Sequence, residues 1–256
     1  MATIITHEES IFHYYQELIK FNKEQRSNQS CPKLRAAMNL NIILCSACLV
    51  EGVLEDRGKL LIGYHREVFN TVHSPEFEIR KPLNVYYNNL EEFLCKRISQ
   101  TTGVENYNSL FEILTGESFK QHDKVKPFVE GVNVLFQLRN VIAHGRKVHS
   151  FDFKAYYTDG FEENFFGGYK KAEDFLMKKG LISKKFKDAE SSDIYFTNEI
   201  SDFFSSLAED FIEAIDVFVS DNIIIGDTVL ENLNKYNENY NTNYDLYAYL
   251  RMRGCR

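Results

Sequence analysis

Arg139, Asn140 and His144 lie within about one and a half helical turns, in the string Leu138-Arg139-Asn140-Val141-Ile142-Ala143-His144-Gly145. A guanidinium, an amide and an imidazole so spaced can bind a phosphate and move a proton without a metal. In RNA cleavage the 2'-hydroxyl loses a proton, the phosphorane gathers negative charge, and the leaving 5'-oxygen takes a proton up. Arg139 suits the charge, by bidentate contact with phosphate oxygens. His144 suits the proton, because a helix C-terminus favours the protonated ring and the group titrates near neutrality. Asn140 can orient either the imidazole or the phosphate.

The helix that carries these residues must position them. At about 100° per residue, Phe128, Val132, Leu135, Arg139 and Ile142 share one apolar stripe, with the arginine in its middle. An unpaired charge there is expensive. An earlier helix shows the complementary exception: Leu40, Leu44, Ala47, Glu51 and Leu54 form a stripe with an acid at its centre. The expectation is that Glu51 pairs with Arg139, or with the motif of a partner subunit. Asn133, Gln137, Asn140 and His144 share a different, wet face, turned by roughly 120–140° from Arg139. One straight helix cannot aim both ends of the motif at one phosphate. Either Gly145 ends the helix and unwinds its last turn, or a second subunit supplies the missing group across a two-fold axis. Arg66 and His73 offer a looser version of the spacing, but no Asn follows the arginine, and the pair leads into a loop at Pro75.

Around these stripes the periodicity predicts helices almost throughout. Thr6 caps a first helix bearing Ile11, Phe12, Tyr15, Leu18 and Ile19, which stops before the polar turn ending at Pro32. A second runs from near Lys33 to Val72, bent around Gly58 and Gly63, and a loop follows through Pro82. A third spans residues 84–100, and a short fourth spans 108–114 before Gly116. Pro127 suits the first turn of the motif helix, in which Gly131 is the one breaker. Residues 150–196 read as an excursion: a strand from Phe151 to Tyr157, a turn at Asp159-Gly160, and a short helix near 169–179. Thr197 caps the last core helix, with Ile200, Phe203, Phe204, Leu207, Phe211, Ile215 and Phe218. From Gly226 an Asn- and Tyr-rich tail promises a peripheral helix and a partly mobile segment. The expected fold is all-α: an antiparallel bundle over residues 31–221, an N-terminal helix (1–30) packed on it, a hairpin and helix excursion (150–196), and a tail (222–256).

Composition limits the functions. Thirteen glycines and four prolines among 256 residues favour helices over many short strands. With no unbroken apolar run of bilayer length and no basic-then-apolar leader, the expectation is a cytoplasmic protein without a membrane partner. Five cysteines without a framework fit a reducing compartment, and Cys45 and Cys48, inside an apolar run, read as small hydrophobes. No HExxH or carboxylate–histidine cluster appears, so no metal and no cofactor are expected. The net charge of −7 opposes a protein that coats nucleic acid without selectivity. Bases nevertheless gather locally. Arg146, Lys147, Lys170, Lys171, Lys178 and Lys179 are the candidate RNA rail beside the motif, although such a run also suits a solvated helix face.

The string from Leu138 to Gly145 resembles the R-x4-6-H signature of the HEPN superfamily, and the order of helices from about Lys33 to Ser220 resembles a HEPN domain. The resemblance implies an antiparallel bundle, usually a homodimer, with two motifs facing across a cleft. It implies a metal-independent endoribonuclease that leaves a 2',3'-cyclic phosphate, in toxin–antitoxin, abortive-infection or other antiviral defence, with an antitoxin or defence protein as partner. On it Arg139 and His144 are catalytic, and Asn140 is the polar residue after the arginine. Some relatives carry a tyrosine shortly after the histidine, where this chain has Gly145-Arg146. Other members of the superfamily bind partner proteins or nucleotides without cutting RNA.

Overall fold

The computed structural model describes residues 12–72, 80–143, 171–183, 196–223, 227–240 and 242–253. Its α-helices are α1 (Phe12–Ser27), α2 (Pro32–Val72), α3 (Arg80–Gln100), α4 (Val104–Thr115), α5 (Val129–Ala143), α7 (Asn198–Asp221), α8 (Asp227–Tyr240) and α9 (Leu246–Arg253). Residues 171–178 form a further helix, α6. Two 3-10 turns, Phe119–Gln121 and Lys126–Phe128, lead into α5. No strand occurs among the described residues, and the fold is an all-α helical bundle, as the periodicity predicts. The expected strand and turn of residues 151–160 lie outside the described residues.

Several boundaries differ from expectation for physical reasons. α3 starts at Arg80, ahead of Pro82, because a proline in the first helical turn gives up an N–H that has no intrahelical acceptor anyway. α4 starts at Val104 rather than 108, straight after Gly103 at φ 81°, and stops at left-handed Gly116, whose N–H donates to the Glu112 carbonyl at 2.9 Å. α2 passes Gly58 and Gly63 as continuous helix. Gly58 is there for close packing: a Cβ would overlap the Ile98 side chain and stand 3.6 Å from the Phe111 ring. Pro127 falls in the 3-10 turn, one step ahead of α5. Among the described residues, Cys31, Cys45 and Cys48 are free.

The chain divides into two compact units, Met1–Gly52 with Phe128–Phe211, and Val53–Pro127 with Ile212–Arg256. In the first, Ile42, Ala47 and Val50 of α2, Leu135 of α5, Leu176 of α6 and Phe204 of α7 are buried. Gly131 brings helices together here: a Cβ would meet Leu207 at 2.7 Å and Phe175 at 3.2 Å. In the second, Phe111 and Phe119 meet edge to face at 5.4 Å and 90°, and Phe119 meets Phe218 at 6.2 Å and 77°. Such pairs add about 0.5–1.5 kcal/mol each beyond burial. α9, expected to be peripheral, buries Tyr249 and Leu250. The Tyr249 hydroxyl donates to Glu67 at 3.0 Å, and Asn232 donates to the same carboxylate at 3.3 Å, so the buried acid has its partners.

Within α2, the stretch Pro32–Val68 holds an 18-residue window of mean hydropathy 1.7, long and apolar enough to cross a bilayer by length and composition. Asn41 and Ser46 interrupt the apolar run of α2, so the sequence holds no unbroken apolar stretch of that length. Of that window 56% is buried inside the protein, which gives its apolarity a use within the fold.

Candidate functional site

α1 and α2 run antiparallel, and contacts near each end set their register. Phe12 lies against Gly52, where a Cβ would stand 2.6 Å from the Phe12 Cβ, and Arg26 donates to the Asn39 side chain at 2.8 Å. Glu51 therefore sits beside the start of α1, and α5 brings Arg139 to it. Arg139 Nη2 donates to Glu51 Oε1 at 3.0 Å and to Oε2 at 3.1 Å. The pairing expected from the two stripes is formed within one chain. Both side chains are about one-fifth exposed, at 19% and 21%, so the pair is reachable from solvent yet poorly screened. The guanidinium carbon also lies 5.2 Å from the centre of the Phe136 ring, one turn earlier on α5, in cation–π contact.

Glu51 engages one end of the guanidinium. Arg139 Nε is buried without an acceptor, and Gln137 Oε1 is buried without a donor. Among the described residues the one other such atom is His122 Nδ1, so unsatisfied buried polarity concentrates in the last turns of α5. A buried donor left unpaired costs about 1–3 kcal/mol, and a fold keeps such a defect where a group has another use. The Nη1 end of the guanidinium has no hydrogen bond to Glu51, whose two oxygens both lie at Nη2.

Two sulfurs and a phenol complete the surroundings. Burial pushes the Cys45 thiol up to about 11, with Cys48 adding to the rise. Cys48 is also raised, by burial first; the Arg139 charge pulls it back down and Glu51 pushes it up. Both stay protonated at neutral pH, the opposite of a reactive or metal-binding cysteine. Tyr15 on α1 is half-buried, and its phenol is raised by burial first, then by Cys48, Cys45 and Glu51. Its place beside the pair escaped the sequence reading, although its position on the inner face of α1 together with Phe12 and Ile19 was visible there.

Asn140, one residue past the arginine, is exposed, whereas Asn133 and Gln137 are half-buried, so the expected wet face of α5 narrows to its end. His144, Arg146, Lys147 and Lys170 lie outside the described residues. Lys171, Lys178 and Lys179 are exposed. Lys178 reaches Glu130 at 3.5 Å with both side chains largely in solvent, and Lys179 lies 5.7 Å from the Phe175 ring. A surface pair of that kind contributes about 0–1 kcal/mol.

The looser arginine of the sequence is occupied elsewhere. Arg66 Nε donates to Glu91 at 2.9 Å, and Glu91 is buried, which marks a structural ion pair between α2 and α3. His73 lies outside the described residues. Arg26 was missed. It is buried in a network, donating to Asn39 at 2.8 Å, to Ser201 at 2.6 Å and to both oxygens of Asp202 at 2.6 Å. The signal was available: Phe12, Tyr15, Ile19, Asn22 and Arg26 follow three- and four-residue spacing, so Arg26 interrupts an apolar stripe just as Arg139 does. Among the described residues no cluster of three His, Cys, Asp or Glu is placed to hold a metal. Comparison with known protein families, with curated proteins and with solved structures finds no match.

Proposed function

We propose that this chain is a metal-independent endoribonuclease of HEPN type, which turns the RNA 2'-hydroxyl onto its own phosphodiester and leaves a 2',3'-cyclic phosphate. The observation that carries the reading is Arg139: Glu51 fixes it through one nitrogen, and its Nε is buried without an acceptor. That is an arginine held in place whose hydrogen-bonding capacity the fold does not fully consume. In the proposed reaction Arg139 takes the negative charge of the phosphorane. His144 moves the proton from the attacking hydroxyl or to the leaving oxygen. Asn140, exposed one residue past the arginine, orients the phosphate or the imidazole. Glu51 supports by setting the guanidinium. A homodimer would bring a second motif to the same cleft, which resolves the angular separation of Arg139 and His144 along one helix. Lys171, Lys178 and Lys179, with Arg146, Lys147 and Lys170, would track the RNA backbone. Toxin or antiviral-defence action, under control of an antitoxin or defence protein, is the setting that fits such an enzyme.

Arg139→Ala and His144→Ala test this directly. Each is expected to lower cleavage of pooled cellular RNA in EDTA by at least about a hundredfold, the usual scale for a lost charge-stabilising or proton-transfer group. Undiminished RNA decay with both changes removes the catalytic assignment. Pure wild-type protein that binds RNA or a partner protein yet cuts nothing would point instead to an adaptor.

A further inference from the structure

We propose that Phe136 is a positioning residue of the candidate site, the face of its ring setting the plane of the Arg139 guanidinium. Its effect on turnover rests on the ribonuclease reading; its hold on Arg139 does not.

The placement follows from α5. Phe136 precedes Arg139 by three residues, so the two are neighbours on the helix surface. Helical side chains lean toward the N-terminus, which carries the arginine back over the turn that holds the ring. The guanidinium carbon lies over that ring, 5.2 Å from its centre. Phe136 is 5% exposed, as deep as Leu138 of the same helix, whereas the Arg139 side chain keeps 19% of its surface in solvent. The ring is therefore the fixed member of the pair, and the cation is the member it steadies. Partial burial strengthens their attraction, because less water competes for the charge.

Glu51 leaves a freedom that the ring removes. Both carboxylate oxygens lie at Nη2, at 3.0 and 3.1 Å, so they grip the guanidinium at one corner and leave it able to tilt about that corner. Nε, at another corner, has no acceptor to stop the tilt. The negative face of the benzene ring attracts the cation and opposes it. A phosphorane would then meet the guanidinium already oriented, which is how positioning lowers a barrier. A purely packing role would need the volume of the ring and be indifferent to the charge on its face.

The test replaces Phe136 in the full chain with mono-, di- and trifluorinated phenylalanines, which drain the negative face while changing ring volume little. Three readouts are taken: the unfolding equilibrium, in the wild-type and Arg139→Met backgrounds; the NMR relaxation of the Arg139 Nε–H group, identified by its loss in Arg139→Met; and steady-state cleavage of an unstructured RNA. The trifluorinated ring should cost roughly fivefold more in the unfolding equilibrium with Arg139 present than with Met in its place, the scale of one partly exposed cation–π contact. Relaxation should report a looser guanidinium with each added fluorine. Turnover should follow the same order in kcat, with KM within about twofold, the signature of an interaction that matters in the transition state. Equal fluorine effects in the two backgrounds overturn the proposal and leave a ring that only packs. An Arg139 group that stays as rigid, or a kcat that stays as high, across the series overturns it too, since the contact would then stabilise without positioning. A wild-type protein that cuts no RNA removes the ribonuclease reading, and the relaxation of Arg139 would still decide the role of Phe136.

Discussion

Two arginines are drawn out of solvent in the same compact unit, and the chain treats them differently. Arg26 is surrounded: Asn39 and Ser201 accept from one nitrogen, Asp202 accepts from another, and Asn39 is itself tied to Asn198 at 2.9 Å and to the Phe196 carbonyl at 2.8 Å. Such a network joins α1, α2 and the start of α7, and its donors and acceptors answer one another. Arg139 has a single carboxylate partner, an aromatic ring beneath it, and a buried Nε that nothing accepts. Both begin as a charge in an apolar stripe. What separates a structural arginine from a candidate functional one is how much of its hydrogen-bonding capacity the fold itself consumes.

The widest separation should come from removing each arginine in turn. Arg26→Ala removes the donor to buried Ser201 and one of the two donors to the buried Asn39 side-chain oxygen, and is expected to destabilise the protein by about 3 kcal/mol, with turnover per folded molecule unchanged. Denaturant melts paired with RNA-cleavage assays check both halves. Arg139→Ala should do the reverse, losing about 1–2 kcal/mol, because it also removes an unsatisfied donor, while abolishing cleavage. If Arg139→Ala proves the more destabilising of the two, the contrast collapses.

Glu51→Gln sharpens it from the other side. Losing the carboxylate charge should cost about 1–2 kcal/mol and lower activity, because the guanidinium loses its one fixed partner. Wild-type melting and wild-type turnover in that variant would remove Glu51 from the site.

The second unit supplies a pH control. His65 Nε2 lies 2.5 Å from the Leu114 carbonyl, and burial lowers the ring's pKa, an effect that the carbonyl bond partly offsets. A folded pKa below the ordinary 6.5 means that its stability contribution is complete above that pH and is lost as pH falls through the folded value. Melts should therefore weaken below about pH 6.5, and His65→Gln should flatten that dependence. An unchanged slope in the variant would assign acid sensitivity to other groups. The smallest effect belongs to Lys178→Ala, at under about 0.5 kcal/mol, with RNA affinity and its salt dependence reduced if the lysine lies on the RNA path.

The pairing of Glu51 with Arg139 was legible because each charge interrupts an otherwise apolar helical stripe, and burial forces such exceptions to find one another. The same rule applied to α1 would have exposed Arg26; its stripe contains Asn22 and Tyr15, so the apolar contrast is weaker and the exception harder to see. Helix type was legible from the three- and four-residue period, whereas helix ends were not. Pro82 looks like a terminator until its place in a first turn is known. Gly58 looks like a bend until Ile98 is found against it. The depth of α9 was hidden because a tyrosine-rich segment becomes core only when a buried acid such as Glu67 takes its hydroxyl.

The most direct test maps the ends that the pure protein leaves on pooled cellular RNA in EDTA. New ends carrying 2',3'-cyclic phosphate with wild-type protein, and none with Arg139→Ala, are the predicted result. Cleavage that leaves 3'-hydroxyl ends, or cyclic ends that persist at full yield without Arg139, would contradict the account.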